Sequence, residues 1–238
     1  MAISYVNGVG VSVDASSTTV AAPAINAVAG NFICVIISSY FGAIQVSSVS
    51  DTAGNSYSRI GAREGFDSNH NQEIWAASNI NGNANNVITA TYASSAQYRK
   101  IAVGQFSGIA ASSPYDVSAT FRNDSSAVTT HTSNQTSTTN QNEELILCGG
   151  VTTAGSVGEM TANNPYYIAV YYEANGGSIY LAYRIVSTVG QYAITVLSYD
   201  AGRLSMQVRS FKGLTVSSAM PRRAIDGPLY GSLRGSVR

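Results

Sequence analysis

Short stretches in which apolar and polar residues alternate recur along almost the whole chain, whereas the 3.6-residue periodicity of helices is nearly absent. Residues 204–209 show the pattern, because Leu204, Met206 and Val208 share one face of an extended chain and polar residues take the other. Clusters of Gly, Asn, Asp and Ser separate these stretches and are typical of turns. The pattern therefore predicts an all-β fold, specifically a jelly-roll-like β-sandwich.

The predicted strands are short and follow one another at regular spacing. They cover residues 31–38, 45–50, 56–61, 72–78, 87–92, 99–106, 143–149, 166–172, 179–185, 192–198 and 204–209. Asn-Gly pairs at 7–8, 81–82 and 175–176 are predicted turns, because both residue types tolerate positive φ. The polar segment 118–142 between these groups of strands is predicted to form surface strands and loops, with a solvated linker as the alternative.

An internal similarity divides the chain into two parts. Two pairs of apolar residues have the same separation of 32 positions, Ile74 with Phe106 and Ile179 with Phe211. A duplicated unit explains the equal spacing, and chance similarity between β-rich segments is the alternative. We therefore predict that residues 1–214 form the sandwich and that residues 31–109 and 143–214 are related halves around one shared core.

The charge composition argues against two classes of partner. Only 11% of the residues are charged, and 13 basic residues balance 13 acidic ones. Without a net field, neither nucleic acid nor an anionic membrane surface is an expected partner. No stretch approaches the ~18–20 apolar residues that cross a bilayer, and the first residues lack the pattern of a cleaved secretory signal. If the protein works outside a cell, we expect it to leave within an assembled particle.

Residue types suited to catalysis are scarce. His70 and His131 both lie in polar stretches and are predicted to be solvated surface residues. The sequence has no Gly-x-Ser-x-Gly elbow, no His-Glu-x-x-His and no phosphate-binding glycine loop. We therefore expect no enzymatic activity and no cofactor.

Metal binding is equally weakly indicated. Asp51 to Asn55 is predicted to be a hairpin turn, and a Ca²⁺ site there would need further oxygen ligands such as Glu64 or Asp67. Cys34 and Cys148 lie in apolar runs, which predicts two buried, reduced thiols. A disulfide between neighbouring strands is the alternative. No metal site is expected.

Aromatic residues supply the candidate ligand contacts. Four tyrosines fall within seven positions: Tyr166, Tyr167, Tyr171 and Tyr172. Tyrosine suits both half-buried strands and binding surfaces, so these residues are core or interface residues or, alternatively, contacts to a glycan.

The last residues differ from everything before them. Residues 215–238 contain two prolines, evenly spaced glycines and four arginines against one aspartate, a composition that opposes helix and central strand. We predict an extended basic arm that docks on another subunit, with a frayed tail as the alternative. The predicted assembly residues are Arg222, Arg223, Leu229, Tyr230, Leu233, Arg234, Val237 and Arg238.

Several short motifs occur in a familiar order. They are the start Met-Ala-Ile-Ser-Tyr-Val, Asp-Thr-Ala-Gly-Asn at 51–55, Ile-Trp-Ala-Ala at 74–77, Phe-Ser-Gly-Ile at 106–109, Glu-Leu-Ile-Leu-Cys at 144–148 and Ser-Phe-Lys at 210–212. In this order they resemble a largely uncharacterised β-sandwich family found among phage virion genes and bacterial surface proteins. The resemblance covers about residues 1–214.

The resemblance implies a fold and a setting rather than a ligand. We accordingly expect a non-enzymatic structural protein of a phage virion, a capsid decoration or tail-associated subunit whose arm acts in assembly. Its expected partners are other virion subunits, including copies of itself. The alternative is a carbohydrate-binding adhesin or receptor-binding module whose partner is a host surface glycan.

Overall fold

The computed structural model describes residues 2–40, 44–65, 69–124, 126–152, 160–163, 165–173 and 177–214, and these form antiparallel β-strands without a helix. The strands are β1 (Ser4–Val13), β2 (Ser17–Ala21), β3 (Ile25–Ala27), β4 (Phe32–Tyr40), β5 (Val46–Asp51), β6 (Ser58–Arg59), β7 (Asn71–Ala77), β8 (Asn83–Asn86), β9 (Ile88–Ser107), β10 (Tyr115–Ser118), β11 (Arg122–Asn123), β12 (Val128–Thr132), β13 (Glu144–Thr152), β14 (Met160–Ala162), β15 (Tyr167–Tyr172), β16 (Ile179–Val186), β17 (Thr195–Gly202) and β18 (Leu204–Lys212). The predicted all-β class is confirmed.

Two large sheets form the middle of the molecule. The first large sheet has the strand order β1-β9-β4-β7-β6, and the second has the order β10-β18-β13-β16-β15. In both sheets the central strand has apolar residues on both faces, since β4 and β13 are each almost entirely buried. Burial of both faces explains why these two segments read as continuous apolar runs rather than alternating ones.

A smaller sheet covers each large one. In the first small sheet, β2 and β5 flank residues 88–96 of β9. In the second small sheet, β17 lies between β12 and β14. The sequence predicts two strands at 87–92 and 99–106, but the structure has the single strand β9. Both ends of β9 pair with neighbours, and the strand is irregular at Tyr98, which has a φ of +46°, where it passes from the small sheet into the large one.

The sheets enclose three separate cores rather than the single shared core that the sequence predicts. The first outer core lies between the first small and large sheets and includes Val20, Val35 and Ile88. The central core joins the two large sheets and contains Phe32 and Phe211, whose ring centroids are 4.8 Å apart. The second outer core lies between the second large and small sheets. Three cores arise because side chains alternate across β4 and β13, so each strand serves two layers.

The two cysteines confirm this layering. Cys34 belongs to the central core and Cys148 to the second outer core, so their side chains lie in different layers. Both thiols are buried and free, as the sequence predicts. Burial raises the pKa of both thiols, that of Cys148 to about 12, so neither is a reactive thiolate at neutral pH.

Two turn predictions have different outcomes. Asn7 and Gly8 are wrong as a turn, because both lie within β1 and pair with β9. Glycine is required at position 8 for close packing, since a Cβ there would approach the Val103 carbonyl oxygen to 2.6 Å. The Asn-Gly pair at 81–82 does connect β7 to β8, whereas the pair at 175–176 lies outside the described residues. No helix in the described part of the chain is long and apolar enough to cross a membrane.

Candidate functional site

An apolar groove lies where the described chain ends. The backbone N–H of Leu214 donates to the carbonyl of Gly108 at 2.8 Å, which fixes the end of the body beside the last residues of β9. The cavity measures about 460 Å³. Its lining consists of Val6, Val28, Ala29, Gly30, Asn31, Ser107, Gly108 and Leu214. None of these side chains is charged, so the groove suits an apolar occupant.

Three exposed apolar side chains line this groove. Val28 is 44% exposed, and Val6 and Leu214 are also exposed. Val6 lies at an irregularity in β1, where the pairing with β9 shifts between Tyr5 and Asn7. Such a bulge re-aims a side chain. The groove therefore presents exposed apolar surface at the point from which residues 215–238 continue.

The predicted assembly arm lies outside the described residues. This applies to all of its predicted contact residues, Arg222, Arg223, Leu229, Tyr230, Leu233, Arg234, Val237 and Arg238. The structure thus describes the groove at Leu214 and leaves the predicted arm untested.

The four candidate tyrosines do not share one surface. Tyr167 is 59% exposed and Tyr172 is also exposed, whereas Tyr166 is buried. Pairing with β16 places Tyr167 and Tyr172 on the side of the central core and Tyr171 on the side of the second outer core. Of these tyrosines, only Tyr167 and Tyr172 could present a ring face to a sugar from the same side of the sheet. A further tyrosine that the sequence analysis did not single out, Tyr199, is 80% exposed.

Asp51 forms a turn network. Its Oδ1 accepts from the Asn55 backbone N–H at 2.9 Å, and its Oδ2 accepts from the Asn55 amide, the Tyr57 hydroxyl and the Asn86 amide at 2.8–2.9 Å. Burial alone would raise the pKa of Asp51, but these hydrogen bonds outweigh it and the pKa is lowered. Gly54 has φ +72°, which the turn requires.

The geometry at Asp51 indicates a structural turn. Of the two further ligands considered, Glu64 pairs with Gln72 at the edge of the first large sheet and Asp67 lies outside the described residues. Within the described ranges no three His, Cys, Asp or Glu side chains are grouped so that they could hold a metal ion.

Both histidines are buried, so the prediction that they are solvated surface residues is wrong. His70 stacks on Tyr40 with ring centroids 4.3 Å apart. His131 has no exposed surface at all. The Thr-rich sequence around His131 does form the strand β12, but its inward face packs against the second outer core, and this burial was not visible from composition.

His131 lies at the centre of a polar relay. Its Nδ1 is 2.5 Å from Oδ2 of Asp124, and its Nε2 is 3.2 Å from Oγ of Ser198. The Arg122 guanidinium donates to the other oxygen of Asp124 at 2.9 and 3.1 Å. Asp124 and Ser198 are both buried. We refer to Arg122, Asp124, His131 and Ser198 as the His131 relay.

A second buried carboxyl lies near the end of the body. Glu144 is the first residue of β13, lies opposite Lys212 of β18 in the strand register and is fully buried. Burial and the neighbouring Asp116 carboxylate raise the pKa of Glu144 to about 7. Asp116 itself accepts two hydrogen bonds from Asn140, and its pKa is lowered. Glu144 is therefore a carboxyl whose charge changes near neutral pH.

Comparison with known proteins adds no identification. No protein-family model matches the chain, and neither the curated proteins nor the solved structures contain a match.

Proposed function

We propose that this protein is a structural subunit of a phage virion, a capsid decoration or tail-associated protein that assembles through residues 215–238. The observation that supports the proposal is the apolar groove at Leu214, because Leu214 directly precedes the apolar and basic segment 215–238 in the sequence. The order of sequence motifs, which resembles a family with members among phage virion genes, supplies the setting.

The occupant we propose for the groove is the C-terminal segment of another copy of this chain. Leu229, Tyr230, Leu233 and Val237 of that segment supply apolar side chains, and the groove lining carries no charge. Apolar anchors set the affinity of such contacts, whereas the arginines act at the rim and make binding sensitive to salt. The same chemistry repeated between copies would produce a homo-oligomer.

The finer architecture that we propose is a jelly-roll-like sandwich of two related halves. The strand orders of the large sheets support it, since β1, β9, β4, β7 and β6 correspond in sequence order to β10, β18, β13, β16 and β15. The two small sheets correspond as well, with β2, the first part of β9 and β5 matching β12, β17 and β14. A duplicated unit explains both sets.

The register changes one detail of the predicted correspondence. On β4, the residue that pairs with Phe106 and the residue that pairs with Ile74 are four positions apart. On β13, the residue that pairs with Phe211 and the residue that pairs with Leu181 are also four positions apart. Pairing thus matches Ile74 with Leu181, two residues from the Ile179 that equal spacing in the sequence indicates.

Light scattering on the full chain tests the assembly role. We expect the intact protein to form a defined oligomer, and both deletion of residues 215–238 and Val28→Asp to reduce it to a monomer. Val189→Asp is the matched control, because Val189 is similarly exposed but lies away from the groove. An unchanged oligomer after deletion of the arm would overturn the proposal.

The virion setting needs its own measurement. Antibodies against the body should label purified particles of a phage whose genome encodes this chain, and the arm deletion should abolish incorporation of the subunit. Particles that lack the protein altogether would overturn the virion role while leaving oligomerisation through the groove intact.

A carbohydrate-binding role is the second candidate, and exposed tyrosine rings favour it. Tyr199 and Tyr167 each present more than half of their surface to solvent. A tyrosine face can stack on a sugar ring while its hydroxyl stays solvated. Binding on a glycan array that is lost in Tyr199→Ala or Tyr167→Ala would favour this role, and an array without a signal would count against it.

A further inference from the structure

The His131 relay orders its groups as acid, base and hydroxyl. Asp124 contacts Nδ1 of the imidazole, and Ser198 contacts Nε2. Arg122 holds the far oxygen of Asp124, and the Asp124 backbone N–H donates to the Leu204 carbonyl at 3.0 Å. The carboxylate is therefore fixed from two sides, and the imidazole is oriented by it. This is the arrangement that activates a serine hydroxyl in acyl transfer.

Strand pairing brings the relay together. His131 of β12 lies opposite Val196 of β17, and Ser198 follows two residues later on the same face. Beyond Leu197 the register shifts, so that residues 198–201 of β17 face only Thr129 of β12. Ser198 is the first residue of this bulge. Bulges re-aim side chains and are common beside active sites.

The hydrogen-bond partners of the imidazole suit a base at His131. An ionised Asp124 accepts the Nδ1 proton of the imidazole, which leaves the Nε2 lone pair facing Ser198. The Ser198 hydroxyl has two acceptors within reach, Nε2 at 3.2 Å and the Asp200 carbonyl oxygen at 2.8 Å. Its single proton can therefore pass from the carbonyl, where the hydroxyl donates at rest, to the imidazole.

Ser198 keeps 7% of its surface exposed. It lines a surface depression of about 170 Å³ together with Thr161, Leu197 and Tyr199. This volume is small compared with the pockets that hold drug-sized ligands, so it suits a short acyl group rather than a long chain. The lining offers one apolar side chain, one aromatic ring and hydroxyls, and no charge.

We propose that Ser198 is an activated nucleophile that accepts short acyl groups from esters. Its Oγ attacks the acyl carbon while His131 Nε2 takes the hydroxyl proton, and the imidazolium then protonates the leaving alcohol as the ester C–O bond breaks. Water attacks the resulting acyl-serine with His131 as base, which releases the acid and returns the proton to Oγ. The ester and one water thus become an acid and an alcohol.

This inference is independent of the assembly role. It departs from the sequence-based expectation of no enzymatic activity, which depended in part on a solvated His131. The sequence gives no signal for the relay, because its members are separated by up to 76 positions and no nucleophile motif surrounds Ser198.

Covalent labelling of the full chain tests the proposal. With diisopropyl fluorophosphate, intact mass and peptide mapping should show one modification, on Ser198. We expect Ser198→Ala to abolish it and Asp124→Asn to slow it by at least 10-fold. Ser47→Ala is the matched control and should leave labelling unchanged, because Ser47 also donates to a backbone carbonyl but belongs to no relay.

Activity and folding measurements complete the test. Hydrolysis of p-nitrophenyl acetate should be lost in Ser198→Ala, while circular dichroism shows that this variant keeps the fold. If Asp124→Asn fails to fold, the wild-type protein and the two serine variants still decide the question. Wild-type protein that stays unlabelled beside a labelled serine hydrolase in the same tube, or labelling spread over several serines, would overturn the proposal.

Discussion

Two carboxylates of this protein, Asp51 and Asp124, are each held by several hydrogen bonds, but their partners come from different distances along the chain. Asp51 is held mainly by Asn55 and Tyr57, within six residues. Asp124 pairs with His131 on the next strand, and the relay continues to Ser198 in a third segment. A turn can form its network locally, whereas the relay exists only after the second small sheet has assembled.

Breaking the two networks should also reduce the free energy of unfolding by different amounts. In the turn, the donors freed by loss of the carboxylate lie near the surface and can be solvated in part. In the relay, loss of the imidazole leaves the buried Asp124 carboxylate with the Arg122 guanidinium as its remaining side-chain partner among the described residues. The comparison therefore predicts that the relay carries more of the stability of the fold than the turn does.

The largest expected effect is that of His131→Leu. The substitution removes a hydrogen-bond donor from the buried Asp124 carboxylate and leaves the Ser198 hydroxyl facing an apolar side chain, so we expect a loss of about 3–4 kcal/mol in the free energy of unfolding. Urea unfolding followed by circular dichroism would measure this loss. In a double-mutant cycle with Asp124→Asn, the two changes should be clearly non-additive. Additive effects would contradict the interpretation that the two side chains act as one unit.

We expect an effect of intermediate size from Glu144, because no strong hydrogen-bond donors compensate for the burial of its carboxyl group. Its pKa of about 7 lies above the ordinary carboxyl value, so the folded state binds the extra proton between pH ~4.5 and ~7. Stability should therefore decline as the pH rises through this window, by at most about 3 kcal/mol, because one pKa unit corresponds to about 1.4 kcal/mol. Glu144→Gln should flatten the dependence and exceed the wild type in stability at pH 8. A wild type with constant stability from pH 5 to 8 would contradict the raised pKa.

Asp51→Asn should have the smallest effect, about 1 kcal/mol, because the amide keeps the shape of the turn but accepts fewer hydrogen bonds. The pKa of Asp51 is lowered, so its contribution is present above the unfolded value of about 3.9 and is lost as the pH falls through the folded value. Wild type and variant should converge in melting temperature once the pH lies below the lowered pKa of folded Asp51. Asp200→Asn, at an exposed carboxylate, is the control and should change little.

The sequence predicted the parts of the fold that depend on local pattern. Alternation indicated most strands of the two large sheets, and the apolar runs around Cys34 and Cys148 indicated the two central strands. The Asp51 turn was also predictable, because its donors follow it directly. Strands β1 and β2 were missed, because Asn7 and Gly8 read as a turn and the surrounding residues are small and polar.

The candidate sites were harder to predict, for a physical reason. The groove is formed by four segments that meet at the end of the body, near Val6, Val28, Gly108 and Leu214, and these segments lie far apart in the sequence. The burial of His131 depends on which face of β12 turns inward. A polar strand that covers a core with a single histidine looks, in sequence, like a solvated linker.

The central claim is that the C-terminal segment of one copy occupies the groove of another, and photo-cross-linking tests it most directly. The full chain with Tyr230 replaced by p-benzoylphenylalanine would be prepared in ¹⁴N and ¹⁵N forms, mixed and irradiated. We predict mixed-isotope cross-links between position 230 and the peptide that contains Val28 to Asn31. Cross-links confined to single chains, or formed elsewhere on the body, would contradict the claim.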